Sequence, residues 1–421
     1  MVVLGFTVTF VCRRQVPNTC ATLTVLPSAV SSFGQDSAPT ARKSMETIPA
    51  LTPTRPDLHS QRHRTSGWKF TRKLAAVQPD TLFIRGGYAL RHLLRGVVVL
   101  ILFGIVGLFV SIVAIALPFP QMPPERDVFG FSTEAEKSVK EMPPLQQFRA
   151  RDGDSLAYRF YDSTSERILI FIHGSSYHGG GYDELATNVS AAGAAKVVLP
   201  NMRGHYYSGR RRGGVEYIGQ YEDDIVDLIR ELRKQGHTGP IILGGHSSGA
   251  GFVLRFAGGM GPQQEAISGY IALAPIIPRT VAVRGGDAGG WNVIDLPRIL
   301  GLVALNAIGV HGFDGLPIIA FNKPASAWNG TETLAYSWRI NRSYHPRDDY
   351  QSDMAAMPAN ALILVGDKDE AVDGAALLGL LKEAGYPGAA EILAQTTHFG
   401  IFHDAEALKR VADYADTIAE R

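Results

Sequence analysis

The chain has 421 residues, with 41 Lys and Arg against 40 Asp and Glu, so its formal charge is +1. This balance hides two unlike parts, because residues 1–96 hold 13 basic and 4 acidic residues while the remainder holds 28 and 36. Such asymmetry indicates a basic tail joined to an acidic folded domain. A hydrophobic content of 45% excludes a wholly disordered chain, and 45 Gly without a three-residue period exclude collagen.

Residues 1–96 are predicted to form a disordered basic tail, because residues 13–80 are rich in Pro, Ser, Thr and Arg and lack periodicity. Three interpretations stay open: a disordered cytoplasmic segment, an organelle transit peptide, or a translation start assigned too early, with Met45 as a later start. Cys12 and Cys20 both lie in this tail. The rest of the chain can therefore form no internal disulfide and no thiolate metal site.

An uncharged run of 21 residues, VVVLILFGIVGLFVSIVAIAL, occupies residues 97–117. As a helix it is about 31 Å long, which predicts a single transmembrane helix. Three arginines lie in the 15 residues before it, whereas only Arg126 lies in the 15 after it. This bias predicts a cytoplasmic N-terminus and a C-terminal domain on the non-cytoplasmic side. Residues 118–144 are predicted to form a Pro-rich stalk.

From residue 145 to residue 421, β-branched runs alternate with helical stretches. The pattern predicts an α/β domain with a mostly parallel sheet and helices on both faces. A hairpin turning at Asp152 and Gly153 is predicted to open it. Buried strands are predicted at 167–172, 196–199, 240–243, 269–274, 361–365 and 390–393, and helices at 182–193, 221–235, 249–258, 374–384 and 404–420. In such sheets the chemistry lies at the carboxyl ends of the strands.

The motif G-x-S-x-G occurs at Gly245–Gly249, between a predicted strand and a predicted helix. A tight turn in that context exposes the hydroxyl of Ser247, which predicts a nucleophile. The adjacent His246 is expected to pack against the sheet. A serine hydroxyl also needs a base within hydrogen-bond reach and a carboxylate that orients the base.

Both partners are predicted in loops that follow later strands, in the order Ser, acid, His. Asp369 is predicted to be the acid, and Asp367 is the alternative residue. Either aspartate could instead cap the N-terminus of the next helix. The base is His398, which directly follows its strand region, whereas His403 is expected to be structural.

The same chemistry needs backbone N–H donors for an oxyanion. Ser248, which follows the nucleophile, is predicted to supply one amide. Ser175, in the loop HGSSYHGGG after the strand 167–172, is predicted to supply the other. The alternative for this loop is a Gly-rich turn without a ligand.

Residues 146–421 resemble the α/β-hydrolase superfamily in FIHGSS, LPNMRGHYYSG, GHSSG, LVGDKDEAV and THFG. In the second motif Asn201 replaces the usual Asp, and Tyr206 stands where Gly is common. Within the superfamily the chain is similar to lysophospholipase and monoacylglycerol-lipase-like serine hydrolases. The resemblance implies an eight-stranded sheet with a lid inserted between the sixth and seventh strands, here residues 275–360. The lid sequence RILGLVALNAIGV is expected either to line an acyl pocket or to form the lid core.

The resemblance implies a serine hydrolase that acts through an acyl-enzyme, and the predicted anchor in the membrane favours lipid-like esters as substrates. A thioesterase, a serine peptidase and a non-catalytic anchored binding protein are the alternatives on this fold. No cofactor is expected, and His173, His178 and His205 lack the carboxylate spacing that would favour a metal site. No nucleic-acid partner is expected of an acidic domain. The run 210–212, three arginines, is expected to be a solvated loop, with anionic headgroup contact as the alternative.

Overall fold

The computed structural model describes residues 79–131, 141–259, 266–284 and 290–419, without the side chains of 79–87 and 89. The predicted disordered tail, including Cys12, Cys20 and Met45, lies outside the described residues up to residue 78.

The first helix, α1, spans Pro79–Ala116. It begins well before the predicted residue 97, because arginine is a good helix former and the helix continues through Arg91 and Arg95. Its part Leu90–Ala116 is 27 residues long and apolar enough to cross a membrane. The apolar side chains point outward, and Leu100 and Phe103 are 71% and 73% exposed. A core helix would bury such side chains.

The other helices and the strands belong to the α/β domain. The helices are α2 (Asp183–Ala191), α3 (Gln220–Lys234), α4 (Ser248–Ala257), α5 (Leu296–Ala307), α6 (Trp338–Ser343), α7 (Tyr350–Ala355), α8 (Gly374–Glu383) and α9 (Ala405–Thr417). The strands are β1 (Gln146–Arg149), β2 (Ser155–Tyr161), β3 (Ile168–Ile172), β4 (Lys196–Pro200), β5 (Ile241–His246), β6 (Ile267–Leu273), β7 (Asn292–Ile294), β8 (Pro317–Phe321), β9 (Ala335–Ser337), β10 (Leu362–Gly366) and β11 (Ala390–Leu393).

Eight strands form one sheet in the order β1-β2-β4-β3-β5-β6-β10-β11. The hairpin β1–β2 and the pair β2–β4 are antiparallel, and the remaining pairs are parallel. Every residue of β3, β4 and β5 is buried. Since side chains alternate between the two faces of a strand, helices and loops must cover both faces. The predicted mostly parallel sheet is thus confirmed.

The segment between β6 and β10 corresponds to the predicted insertion, residues 275–360. Its described part contains a small antiparallel sheet, β7-β8-β9, together with α5, α6 and α7. The sequence did not predict these strands, which are three to five residues long and less completely buried than β3, β4 and β5. The apolar stretch RILGLVALNAIGV forms most of α5, whose Leu302 and Leu305 pack with Ile115 of α1.

Residues 117–131, here called the post-helix segment, follow α1 and lie within the predicted stalk except for the first residue. The segment packs on the domain, because Phe129 and Phe131 are only 8% and 3% exposed and belong to the main core. Asn322 also donates from Nδ2 to the carbonyl of Pro123, over 3.3 Å. Burial of a Phe side chain contributes about 2 kcal/mol. The described part of the predicted stalk is therefore attached to the domain, an outcome that the prolines of the segment did not indicate.

Candidate active site

A sharp turn between β5 and α4 carries Ser247, as the motif predicted. Ser247 has a φ of +57°, in a region that non-glycine residues rarely adopt. The flanking glycines are needed for close packing. A Cβ on Gly249 would lie 2.3 Å from the carbonyl oxygen of Ile172, and one on Gly245 would lie 2.5 Å from the carbonyl carbon of Gly249. The turn is fixed by the amide of Ser247, which donates to the carbonyl of Leu273 over 2.9 Å.

The structure brings Ser247, His398 and Asp369 together at the carboxyl ends of three strands. Nε2 of His398 lies 2.9 Å from Oγ of Ser247, and Nδ1 lies 2.8 Å from Oδ2 of Asp369. A carboxylate only accepts, so Nδ1 donates to Asp369 and Nε2 is left to accept the hydroxyl proton of Ser247. His398 and Asp369 are each 2% exposed. The arrangement can therefore remove a proton from Ser247 and stabilise the resulting imidazolium.

Asp369, and not Asp367, contacts the histidine. Oδ1 of Asp369 also accepts from the amides of Ala371 and Val372, over 2.8 and 2.6 Å. These donors fix the orientation of the carboxylate. The side chain of Asp367 lies 3.8 Å from the ammonium of Lys368, next to it in the chain.

Two side chains hold the backbone of His398. Its amide donates to Oε2 of Glu370 over 2.9 Å, and its carbonyl lies 2.9 Å from Nε2 of His246. Since a carbonyl only accepts, Nε2 of His246 is protonated, and Nδ1 accepts from the hydroxyl of Tyr182 over 2.8 Å. Burial lowers the pKa of His246 well below its ordinary value, which keeps the ring neutral. His246 packs as expected, and it also bonds to the loop of His398.

The hydroxyl of Tyr182 extends this chain of hydrogen bonds to the loop that follows β3, because it accepts from the amide of Gly174 over 2.9 Å. Burial raises the pKa of Tyr182 well above its ordinary value, so the phenol retains its proton. No motif in the sequence pointed to Tyr182.

Ser175 and Ser248 lie side by side near Ser247, with their Oγ atoms 2.6 Å apart. Oγ of Ser248 lies 3.2 Å from Nε2 of His345, whose Nδ1 donates to the carbonyl of Asn341 over 2.9 Å. Nε2 is therefore the acceptor, so Ser248 donates to His345 and Ser175 donates to Ser248. Both hydroxyl protons are thus engaged within the protein.

His345 is a site residue that the sequence did not reveal, because it lies in the insertion outside any motif. Burial lowers its pKa to about 4, so it is neutral near pH 7 and can act as the acceptor that Ser248 needs.

The remaining histidines singled out from the sequence have structural partners. His403 contacts Glu184, with 2.6 Å between Nδ1 and Oε2. Nε2 of His173 accepts from the amide of Met202 over 3.1 Å, and Nδ1 of His178 accepts from the amide of Gly180 over 3.2 Å. Nε2 of His205 lies 2.7 Å from the hydroxyl of Tyr336. Among the described residues, no group of three or more His, Cys, Asp or Glu is arranged to hold a metal ion.

The LPNMRGHYYSG loop is fixed by its own polar side chains. Asn201 accepts from the amide of Gly179 through Oδ1, over 2.8 Å. Arg203, which is 3% exposed, forms ion pairs with three carboxylates: Asp152 at 2.9 Å, Asp154 at 2.6 Å and Asp224 at 2.8 Å.

Two arginines of the 210–212 run have partners inside the protein. Arg210 forms an ion pair with Asp154, and Arg212 donates to the carbonyl of Gly330 over 2.8 Å. Headgroup contact by this run stays a prediction.

A cavity of about 860 Å³ opens above Ser247. Its walls are largely apolar, and α5 contributes Leu296, Ile299 and Val303. The apolar stretch of the insertion therefore lines the cavity with one face while another face packs on α1. Further apolar lining residues come from the insertion and the post-helix segment: Phe129, Ile276, Ile277, Val283, Trp291, Ile294, Ile318, Ile319, Phe321 and Trp338.

Comparisons with known proteins agree with this architecture. Residues 163–296 match the family described as serine aminopeptidase, S33. A monoglyceride lipase homolog from Monkeypox virus is 33% identical over 101 residues, which are 24% of this chain and 36% of the viral protein. A monoacylglycerol lipase from Mycolicibacterium smegmatis is 25% identical over 219 residues, which are 50% of this chain and 73% of the mycobacterial protein.

Among solved structures, the chain is similar to the monoacylglycerol lipase of Paleococcus ferrophilus, with a TM-score of 0.47, 18% identity and coverage of 63% of this chain and 99% of that one. A monoglyceride lipase of Saccharomyces cerevisiae in complex with a substrate analogue gives the same TM-score and identity, with coverage of 72% and 97%. From the sheet, the turn at Ser247 and the matches in sequence, we conclude that the chain is an α/β-hydrolase of the serine-hydrolase type, similar to the monoacylglycerol lipases.

Proposed function

We propose that the protein hydrolyses carboxylic esters of lipid-like alcohols or acids, with Ser247 as nucleophile, His398 as base and Asp369 as the acid that orients it. The observation that carries the proposal is the continuous hydrogen-bonded series from Ser247 through His398 to Asp369 at the floor of an apolar cavity. Without Asp369, the imidazole of His398 would not be held in the tautomer that accepts the proton of Ser247.

In the proposed reaction, Oγ of Ser247 attacks the ester carbonyl carbon while its proton moves to Nε2 of His398. The carbonyl oxygen becomes an oxyanion that accepts from the amides of Ser175 and Ser248, each contributing about 3 kcal/mol to transition-state stability. The alcohol leaves with the proton from His398, and an acyl-enzyme remains on Ser247. Water, deprotonated by His398, then attacks the acyl carbon, the bond to Oγ of Ser247 breaks as Oγ takes the proton back from His398, and the carboxylic acid is released.

The cavity favours an ester with an apolar portion. Its walls come mostly from aliphatic and aromatic side chains, and apolar groups gain free energy on leaving water. Among the described lining residues the acidic one is Asp348, which is paired with Arg279 and Arg342 over 2.6 Å each. A peptidase site for a free N-terminal ammonium would need an available carboxylate, so this pairing supports an ester over a peptide. The names of the two lipase relatives point the same way.

We also propose that the insertion acts as a lid and that α1 anchors the enzyme in a membrane. The lid assignment is supported by Ile299 and Val303, which line the cavity from the insertion. The anchor is supported by the length and exposure of Leu90–Ala116. The arginine bias favours a cytoplasmic N-terminus, with the domain on the opposite side of the membrane. A reporter fused after Arg421 tests the orientation. If that reporter is active only in the cytoplasm, the proposed orientation is wrong.

The proposed activity is tested with the full chain in detergent. The substrates are p-nitrophenyl esters of increasing chain length, monoacylglycerols, acyl thioesters and aminoacyl amides, with Ser247→Ala as the inactive control. We expect the oxygen esters to be hydrolysed faster than the amides, and every activity to vanish in Ser247→Ala. Selective hydrolysis of thioesters would instead indicate a thioesterase, and selective hydrolysis of aminoacyl amides would indicate a serine peptidase. Absence of all hydrolysis would favour the binding-protein alternative.

A further inference from the structure

The post-helix segment returns to the active site through Phe129. The ring centroid of Phe129 lies 5.3 Å from that of His398, with the planes inclined by 37°. Phe129 also lines the cavity, together with Ser247 and His398. A residue from the segment that follows α1 is therefore in contact with the base and with the space that a substrate would fill.

The segment is held at both of its ends. Where α1 ends, the buried guanidinium of Arg298 donates to the carbonyls of Leu117 and Pro317, over 2.9 and 2.7 Å. At the other end, Phe131 stacks on Trp291, with centroids 5.0 Å apart and planes inclined by 28°. These contacts fix the backbone on either side of Phe129.

Phe129 lies beside the position that the departing alcohol would occupy. In the proposed reaction, Nε2 of His398 delivers its proton to the departing alcohol, so that alcohol lies beside the imidazole. Phe129 packs on the same imidazole, and Trp291 continues this wall with its centroid 5.3 Å from that of Phe129.

We propose that Phe129 is a specificity-determining residue for the alcohol portion of the substrate and a positioning residue for the ring of His398. The segment that follows α1 is, on this proposal, one wall of the active site and more than a tether. The proposal rests on the proposed ester hydrolysis and adds to it the side of the substrate that the segment contacts.

The test compares two esters of one fatty acid, a methyl ester and a 2-naphthyl ester, with the full chain in detergent. We expect Phe129→Ala to raise the ratio of kcat/KM for the naphthyl ester to that for the methyl ester roughly tenfold, because a wall beside the alcohol is removed. Phe148→Ala is the matched control. Phe148 is 5% exposed, lies in β1 and packs on Tyr158, so its loss removes a similar side chain away from the cavity.

Phe129→Leu is measured as well. It retains apolar volume, so it keeps the test decisive if Phe129→Ala fails to fold. It should shift the ratio in the same direction by a smaller factor. If the wild type is active but the folded Phe129 variants have the same ratio as the wild type, or Phe148→Ala shifts the ratio equally, the inference about Phe129 is wrong. The proposed function is unaffected by that result. A wild type inactive on both esters would overturn the proposed function, and this inference with it.

Discussion

Nε2 of His246 donates to the backbone carbonyl of His398 over 2.9 Å. The residue that precedes the nucleophile thereby bonds to the residue that serves as base, although 152 positions separate them in the chain. The hydroxyl of Tyr182 donates to Nδ1 of His246 and accepts a hydrogen bond from the amide of Gly174. The β3 loop, the turn at Ser247 and the loop of His398 are thus joined by one series of hydrogen bonds.

We expect His246→Ala to lower kcat by roughly tenfold or more, because a small displacement of His398 weakens proton transfer. KM should change little, since His246 lies outside the cavity lining. His246→Gln should retain more activity, because its amide can donate to the same carbonyl. His237→Ala, which removes a ring that stacks on Phe160 away from the site, is the control. Wild-type kcat in His246→Ala would contradict this role.

The loop after β10 offers a matched pair of variants. Asp369→Asn should lower kcat by about 10⁴-fold, because an amide no longer orients His398 with a proton on Nδ1. Asp367→Asn should change kcat by less than about twofold, because its contact with Lys368 is a weak surface pair. Steady-state kinetics with one ester decide between them, and an equal loss in both variants would contradict the assignment of the acid.

Arg298 is predicted to stabilise the junction between α1 and the insertion. It is 7% exposed and forms an ion pair with the buried Asp295 over 3.2 Å. Arg298→Met leaves Asp295 and the carbonyl of Leu117 without this donor, so the free energy of unfolding should fall by about 3 kcal/mol. Arg230→Met should cost less than about 1 kcal/mol, because the Arg230 side chain is 56% exposed and the buried Asp227 keeps its ion pair with Arg151 over 3.0 Å. Chemical unfolding in detergent measures both, and equal losses would refute the role of Arg298.

Histidines whose pKa is lowered by burial predict acid sensitivity, and His173, His205 and His246 are the most deeply buried of the histidines outside the triad. Burial lowers the pKa of His173 to about 4 and the pKa values of His205 and His246 well below the ordinary range. Below about pH 6.5 the unfolded chain protonates these rings while the native protein does not. The free energy of unfolding is therefore highest above this pH and falls towards pH 5 by about 1.4 kcal/mol per pH unit for each histidine.

Denaturation midpoints across this range test the acid sensitivity. His205→Gln should have a smaller pH dependence by the contribution of one histidine, and a wild-type stability that is constant from about pH 7 to pH 5 would contradict the prediction.

The sequence predicted those parts of the site that depend on local motifs. Ser247 sits in a strand-turn-helix pattern, and Asp369 and His398 follow strands, so their order along the chain indicated their meeting. Tyr182, His345 and Phe129 could not be predicted in this way, because each reaches the site through contacts between distant segments. The strands β7, β8 and β9 were not predicted either, because they are defined by pairing with one another within the insertion.

The proposed reaction requires Ser247 to be a nucleophile that His398 activates. The most direct test is the reaction of the full chain with a fluorophosphonate, followed by mass spectrometry of the modified peptide. We expect one adduct, on Ser247, with no adduct in Ser247→Ala and much slower labelling in His398→Ala. An unlabelled wild type, or equal labelling of wild type and Ser247→Ala, would contradict the proposed reaction.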